Sequence, residues 1–192
     1  MVAAGKALFE TLGSWKEGKT FRSSKGPTPY KVKTSSRPKL PGDGAAWHAR
    51  YSEHTEGTFD DFWELLGRNK AVNEREYVVL NHGVAYAQPL TDRFIPEVDK
   101  VTLLQTISPN QTLWTLHYKF PPPVSPRVFT VLQVTHLAGG DDGKPREGWI
   151  ISVPVNVSEN ADMKAKEEKG ARGRYVSVER VKEGKDGILE WA

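Results

Sequence analysis

Two alternating stretches hold the side chains with the most specific chemistry. In Ala45–His54, the residues His48, Arg50, Ser52 and His54 fall on one face of an extended chain, and Trp47, Ala49, Tyr51 and Glu53 fall on the other. In Arg172–Val181, Tyr175, Ser177 and Glu179 share a face opposite Val176, Val178 and Arg180. Successive side chains of a strand point to opposite sides, so each set acts from one side only. Turned inward, the two sets would supply a guanidinium, imidazoles, hydroxyls and a carboxylate. A buried charge needs a partner, and Arg50 with Glu179 is the economical pair. Such a group can anchor a polar headgroup or a hydroxyl through Arg50, Ser52, His54, Ser177 and Glu179. The plainer alternative is an outward-facing strand surface, or an ion pair that only joins strands.

The known enzyme and metal signatures are not completed. His48 and His54 stand on one strand face without an HExxH pattern or an acidic cluster beside them. Gly139–Gly143 is neither a dinucleotide fingerprint nor a phosphate loop, because it joins two strands rather than opening a helix. Asp141 and Asp142 belong at the tip of that turn, in water. There is no GxSxG elbow. The absence of cysteine rules out thiol catalysis, thiolate metal sites and a disulfide framework. No cofactor is expected.

The elements that must position these residues centre on Val98–Val157. Three long alternating arms, Val98–Ile107, Gln111–Phe120 and Val128–Leu137, are followed by a fourth, Trp149–Val157. In the second arm, Leu113, Thr115, His117 and Lys119 alternate with Thr112, Trp114, Leu116, Tyr118 and Phe120. Ser108-Pro109-Asn110 and Gly139–Gly143 turn the chain too tightly for parallel crossovers, so the sheet is antiparallel. Ahead of it, a helix is predicted over Ala3–Leu12, ended by Gly13. An edge strand is expected at Thr28–Ser35, with Pro27, Pro29 and Pro38 confining it there, then the strand Ala45–His54. Thr58 and Asp61 are spaced as a capping box, and Phe59, Phe62, Trp63 and Leu66 form an apolar stripe that Gly67 ends. A short helix from Asn73 should close near Asn81-His82-Gly83, with a strand at Val84–Leu90. Glu159–Gly170 reads as a loop or short helix, Arg172–Val181 and Ile188–Ala192 as strands. The result is one α+β domain over residues 1–192, with no linker or repeat.

At 38% hydrophobic and 27% charged, the 192-residue chain is globular. No apolar run reaches the roughly 20 residues that cross a membrane, and no secretory h-region opens it. The expected location is cytoplasmic, with peripheral membrane contact open. Charge is uneven. Between Lys16 and Lys39, eight basic residues face one acid, a balance of +7 that leaves −4 elsewhere for a net +3. Lys16, Lys19, Arg22, Lys25, Lys31 and Lys33 suit anionic headgroups, at about 1 kcal/mol for each residue held at a surface. The alternative is a solvated connection that keeps an edge strand soluble. Without a recognition helix or an RNP-like motif, nucleic acid is not the expected partner.

Taken together, Trp47–His54, Phe59–Trp63, Glu74–Tyr77, Pro121–Phe129, Ile151–Val155 and Tyr175–Val181 resemble the START-like superfamily of helix-grip, lipid-binding domains. More narrowly, they resemble an uncharacterised fungal branch of it. The resemblance implies an antiparallel sheet curved around an apolar cavity that takes a lipid, sterol or other hydrophobic molecule. The walls it implies are Trp114, Leu116, Tyr118, Val131, Trp149, Ile151 and Val153, which could equally be ordinary core. Other helix-grip branches host cyclases and hydrolases, so the competing expectation is an enzyme of the same cavity using His54 or Glu179 for proton transfer. A third is a protein-interaction module with a packed interior. Helix-grip domains end in a long helix lying in the sheet's curve, whereas this chain ends in a strand. The expectation is then a cavity covered by the first helix, a partner or a membrane, with self-association where it stays uncovered.

Overall fold

The computed structural model describes residues 1–22, 30–68, 70–75 and 97–192. Helix α1 (Val2–Glu10) runs into a 3-10 turn (Thr11–Ser14), which buried Trp15 closes by donating from Nε1 to Thr11 Oγ1 at 2.9 Å. The strands β1 (Lys16–Glu17), β2 (Phe21–Arg22), β3 (Lys31–Arg37) and β4 (Trp47–His54) follow. β3 is not an edge, contrary to expectation: β1 and β2 pair along its outer side and β4 along its inner. Pro27 and Pro29 lie outside the described residues.

The capping box at Thr58 forms as expected. Thr58 Oγ1 accepts from Asp61 N, and the Asp61 carboxylate accepts from Thr58 N at 2.7 Å. It starts α2 (Phe59–Phe62), which widens into a π-helical turn (Trp63–Arg68). Gly67 therefore does not end the helix. It makes room instead, since a Cβ there would lie 2.6 Å from the Trp63 indole. Helix α3 (Lys70–Arg75) begins ahead of the expected Asn73. The predicted helix end near 81–83 and the strand at 84–90 fall outside the described residues.

The four long arms appear as β5 (Val98–Ser108), β6 (Gln111–Tyr118), β7 (Arg127–Ala138) and β8 (Glu147–Pro154). Helix α4 (Ala161–Ala165) lies within the stretch read as loop or short helix. The strand expected over Arg172–Val181 is split into β9 (Ala171–Arg172) and β10 (Ser177–Glu183), and β11 (Leu189–Trp191) follows. One sheet contains all eleven strands of the described residues, in the order β1-β3-β4-β11-β10-β8-β7-β6-β5, with β2 on β3 and β9 on β7. The β7–β9 pair is parallel, an exception to the antiparallel rule read from the turns.

Each face of the sheet has its own cover. On the front, Ile150, Val181 and Leu189 pack under Phe59, Phe62, Trp63 and Leu66. Gly148 admits this seat, because a Cβ there would stand 2.3 Å from Trp63. On the back, α1 lies against β8, with Phe9 edge-on to Trp149 at 5.2 Å and Gly5 pressed on Ile151. The stretch after β8 covers the back of β5 to β7 through a cluster of Leu104, Leu113 and Val157 with Leu132 and Met163. Glu167 fastens it: its carboxylate is fully out of solvent and accepts from Thr130 at 2.5 Å, Arg172 at 2.6 Å and Lys164 at 2.7 Å. Burial alone would raise the Glu167 carboxyl, but these donors and cations hold it below its ordinary value.

Candidate ligand-binding site

In-register partners of neighbouring strands share a face, so the pairing assigns every strand residue to front or back. On the front, Tyr118 packs on Phe129 at 5.1 Å and Phe129 on Tyr175 at 5.5 Å, an aromatic row across one border. Two pairing steps away, Ser177, Ser152, Gln133, Thr112 and Thr106 align from β10 to β5 as a polar belt. Between row and belt lies an apolar floor of Leu103, Trp114 and Val131, with Val101 and Leu116 beside it. Row and belt are four residues apart along β7, about 13 Å at strand rise, and three strands spaced at about 4.8 Å make the floor about 10 Å wide. These are small-molecule dimensions.

Exposure of the floor rises toward the β5 edge. Val131 and Leu116 are buried, Trp114 is half-buried and Leu103 is 43% exposed. Two belt residues are engaged: Trp114 Nε1 donates to Thr112 Oγ1 at 2.8 Å and Gln133 Nε2 to Gly67 O at 3.3 Å. Ser177 Oγ is shielded from solvent and has no hydrogen-bond partner among the described residues. Beyond it on β10, both Glu179 oxygens lie within 3.1 Å of Lys70 Nζ from α3.

The residues expected at a site are therefore dispersed. Trp114, Tyr118, Ser177 and Glu179 share the front of the sheet around the floor. Ser52 and His54 are also on the front, but at the end covered by α2. Ser52 Oγ and His54 Nε2 are 2.9 Å apart, and the imidazole sits among Tyr30, Phe62 and Trp191. Burial lowers the His54 pKa, so this ring is neutral at neutral pH and offers an anion no charge. Arg50 is exposed beside Thr34 on β3. The Arg50–Glu179 pair does not form, because β11 is inserted between β4 and β10 and Lys70 takes the carboxylate. Trp149, with Ile151 and Val153, is on the back: its partners in register are His136 and Arg180, and Phe9 covers it. An apolar run with both faces buried gives no parity signal, so β8 could not be oriented without its neighbours.

Lys70, Gln133, Ser152 and Leu103 complete the front and were not legible. Ser152 is 1% exposed and Gln133 is 5% exposed, yet each is a lone polar residue within an apolar strand until the pairing aligns them. Among the described residues, no cluster of His, Asp and Glu could hold a metal, and no helix is long and apolar enough to cross a membrane.

A curved, mostly antiparallel sheet with short helices seated on it is the START-like α+β fold, and solved structures agree. The human StarD13 (DLC2) lipid transfer and protein localization domain superposes with a TM-score of 0.50 at 12% identity, over 98% of this chain and 78% of that one. Human StAR-related lipid transfer protein 5 gives a TM-score of 0.53 at 13% identity, over 99% of this chain and 78% of that one. The particular family follows from sequence. Residues 47–191 match the family described as protein of unknown function (DUF3074), and the chain belongs to it. No curated protein matches the chain.

Proposed function

We propose that this chain, one START-like domain over residues 1–192, binds and transfers a hydrophobic small molecule of lipid or sterol type without reacting with it. The observation that carries this reading is the half-open apolar floor, bordered by aromatic rings on one side and hydrogen-bonding groups on the other. Pockets of this make-up bury an apolar body and orient it with a few polar contacts. The body would lie on Leu103, Trp114 and Val131, and its polar end would meet Ser177 next to the Lys70–Glu179 pair. Both human proteins are named for lipid transfer, in keeping with this reading. Trp149, Arg50 and the Ser52–His54 pair are not assigned contact with the ligand.

Transfer needs a membrane, and Lys16, Lys19, Arg22, Lys31 and Lys33 are the cations we assign to anionic headgroups at a cytoplasmic surface. All five are exposed; Lys25 lies outside the described residues. An empty floor would also let two chains meet face to face. Native mass spectrometry of the purified chain, with solvent extraction of whatever is bound, tests the central claim. A co-purifying hydrophobe that Leu103→Glu and Trp114→Ala displace is the expected result. If neither lipid nor sterol binds, the reading fails. Sedimentation velocity with and without lipid tests the pairing of empty chains.

A further inference from the structure

The basic sheet edge presents an aromatic side chain that the fold does not use. Phe21 is 56% exposed, although it occupies a strand position paired with Val32. Its backbone is fixed rather than loose. Gly18 N donates to Thr34 O at 2.8 Å, Thr34 Oγ1 donates to Lys19 O at 2.7 Å, and Arg22 pairs in register with Lys31. Lys19, Arg22, Lys31 and, one strand further in, Arg50 are all exposed along this edge; by register Phe21 shares its face with Val32 and Arg50, and Arg22 and Lys31 point to the other face. No ion pair engages any of these cations among the described residues. Arg37, by contrast, is spent on Asp43 at 3.1 Å.

From this arrangement we infer that Phe21 is the hydrophobic anchor of the basic edge and enters the interface of a bilayer containing anionic lipid. The inference rests on the membrane contact proposed above and adds the group that penetrates. Cations alone hold a protein outside the headgroups, and screening by salt weakens that hold. An exposed aromatic ring on the same edge adds an apolar term that salt does not screen. A bilayer fits this pattern better than a nucleic-acid duplex: two lysines and two arginines would meet phosphates in either, and only the bilayer interface offers the exposed ring an apolar phase.

The test uses the full chain, which has no cysteine. Phe21→Cys and, as a control, Leu40→Cys each provide a single site for a polarity-sensitive thiol dye. Leu40 is 47% exposed and follows the far end of β3. On vesicles of mixed neutral and anionic phospholipid, the dye at position 21 should shift to the blue and be quenched by nitroxide-labelled lipid, while the dye at position 40 stays in water. Unlabelled Phe21→Ser should partition onto these vesicles about tenfold more weakly or worse, and Phe21→Trp should restore binding. As Phe21 packs into no core, its melting point should not move. If vesicle binding and its salt dependence persist with Phe21→Ser unchanged, the anchor is refuted and the membrane contact survives. If no vesicle binding occurs, both fall. Tighter binding to an oligonucleotide than to the vesicles would also overturn the inference.

Discussion

Replacing Gly148 with alanine tests how the front of the sheet is assembled. A Cβ at this position would lie 2.3 Å from Trp63 Cζ3 and 2.4 Å from Cε3, whereas carbon atoms attract best at about 3.5–4.0 Å. The indole has little room to retreat: it is buried, stacks near Phe59 at 6.2 Å between ring centres, and lies where a Gly67 side chain would be. Overpacking of this kind costs typically about 1–3 kcal/mol. For a chain of this size each kcal/mol lowers Tm by about 2–4 °C, so Gly148→Ala should melt about 2–12 °C below the wild type. The assay is far-UV circular dichroism on heating, repeated in a Trp63→Leu background. There the smaller side chain vacates the space, and Gly148→Ala should cost much less than it does alone. An unchanged Tm, or an equal penalty in both backgrounds, would refute the steric reading. The contact also bears on the site, because the same π-helical turn brings Gly67 O to Gln133 and leads into Lys70 at Glu179.

Glu167 makes stability depend on acid. Its folded pKa is depressed, so its contribution is fully present above its unfolded value near 4.5 and is lost as pH falls through the folded value. Glu167→Gln should therefore lower Tm at neutral pH and flatten the loss of stability below pH ~4.5, measured by thermal melts across pH. Thr58→Ala removes half of the capping box and should cost about 1 kcal/mol in urea unfolding with an unchanged m-value. Ser177→Ala removes a shielded, unpartnered hydroxyl; in lipid-free protein it should be neutral or stabilising by up to about 1 kcal/mol, and a clear loss of Tm would mean that the hydroxyl is already satisfied.

Local patterns were sufficient for much of the fold. The period-two alternation of Gln111–Phe120 gave β6 and both of its faces, and the Thr58–Asp61 spacing gave the start of α2, because strand parity and helix capping depend on neighbours within a few residues. The front face itself was not local. Its belt aligns Ser177, Ser152, Gln133, Thr112 and Thr106 from five strands spread over some seventy residues of chain. The insertion of β11 beside β4 separated Arg50 from Glu179, and the placement of α3 supplied Lys70 in its stead. Trp149 turned to the back because its run is buried on both sides, so hydrophobicity alone could not orient it. What each segment becomes is set by forces acting over one turn or one pleat. Which segments then share a surface is decided by pairing and packing across the whole sheet, where a carboxylate takes the cation that the folded chain brings nearest.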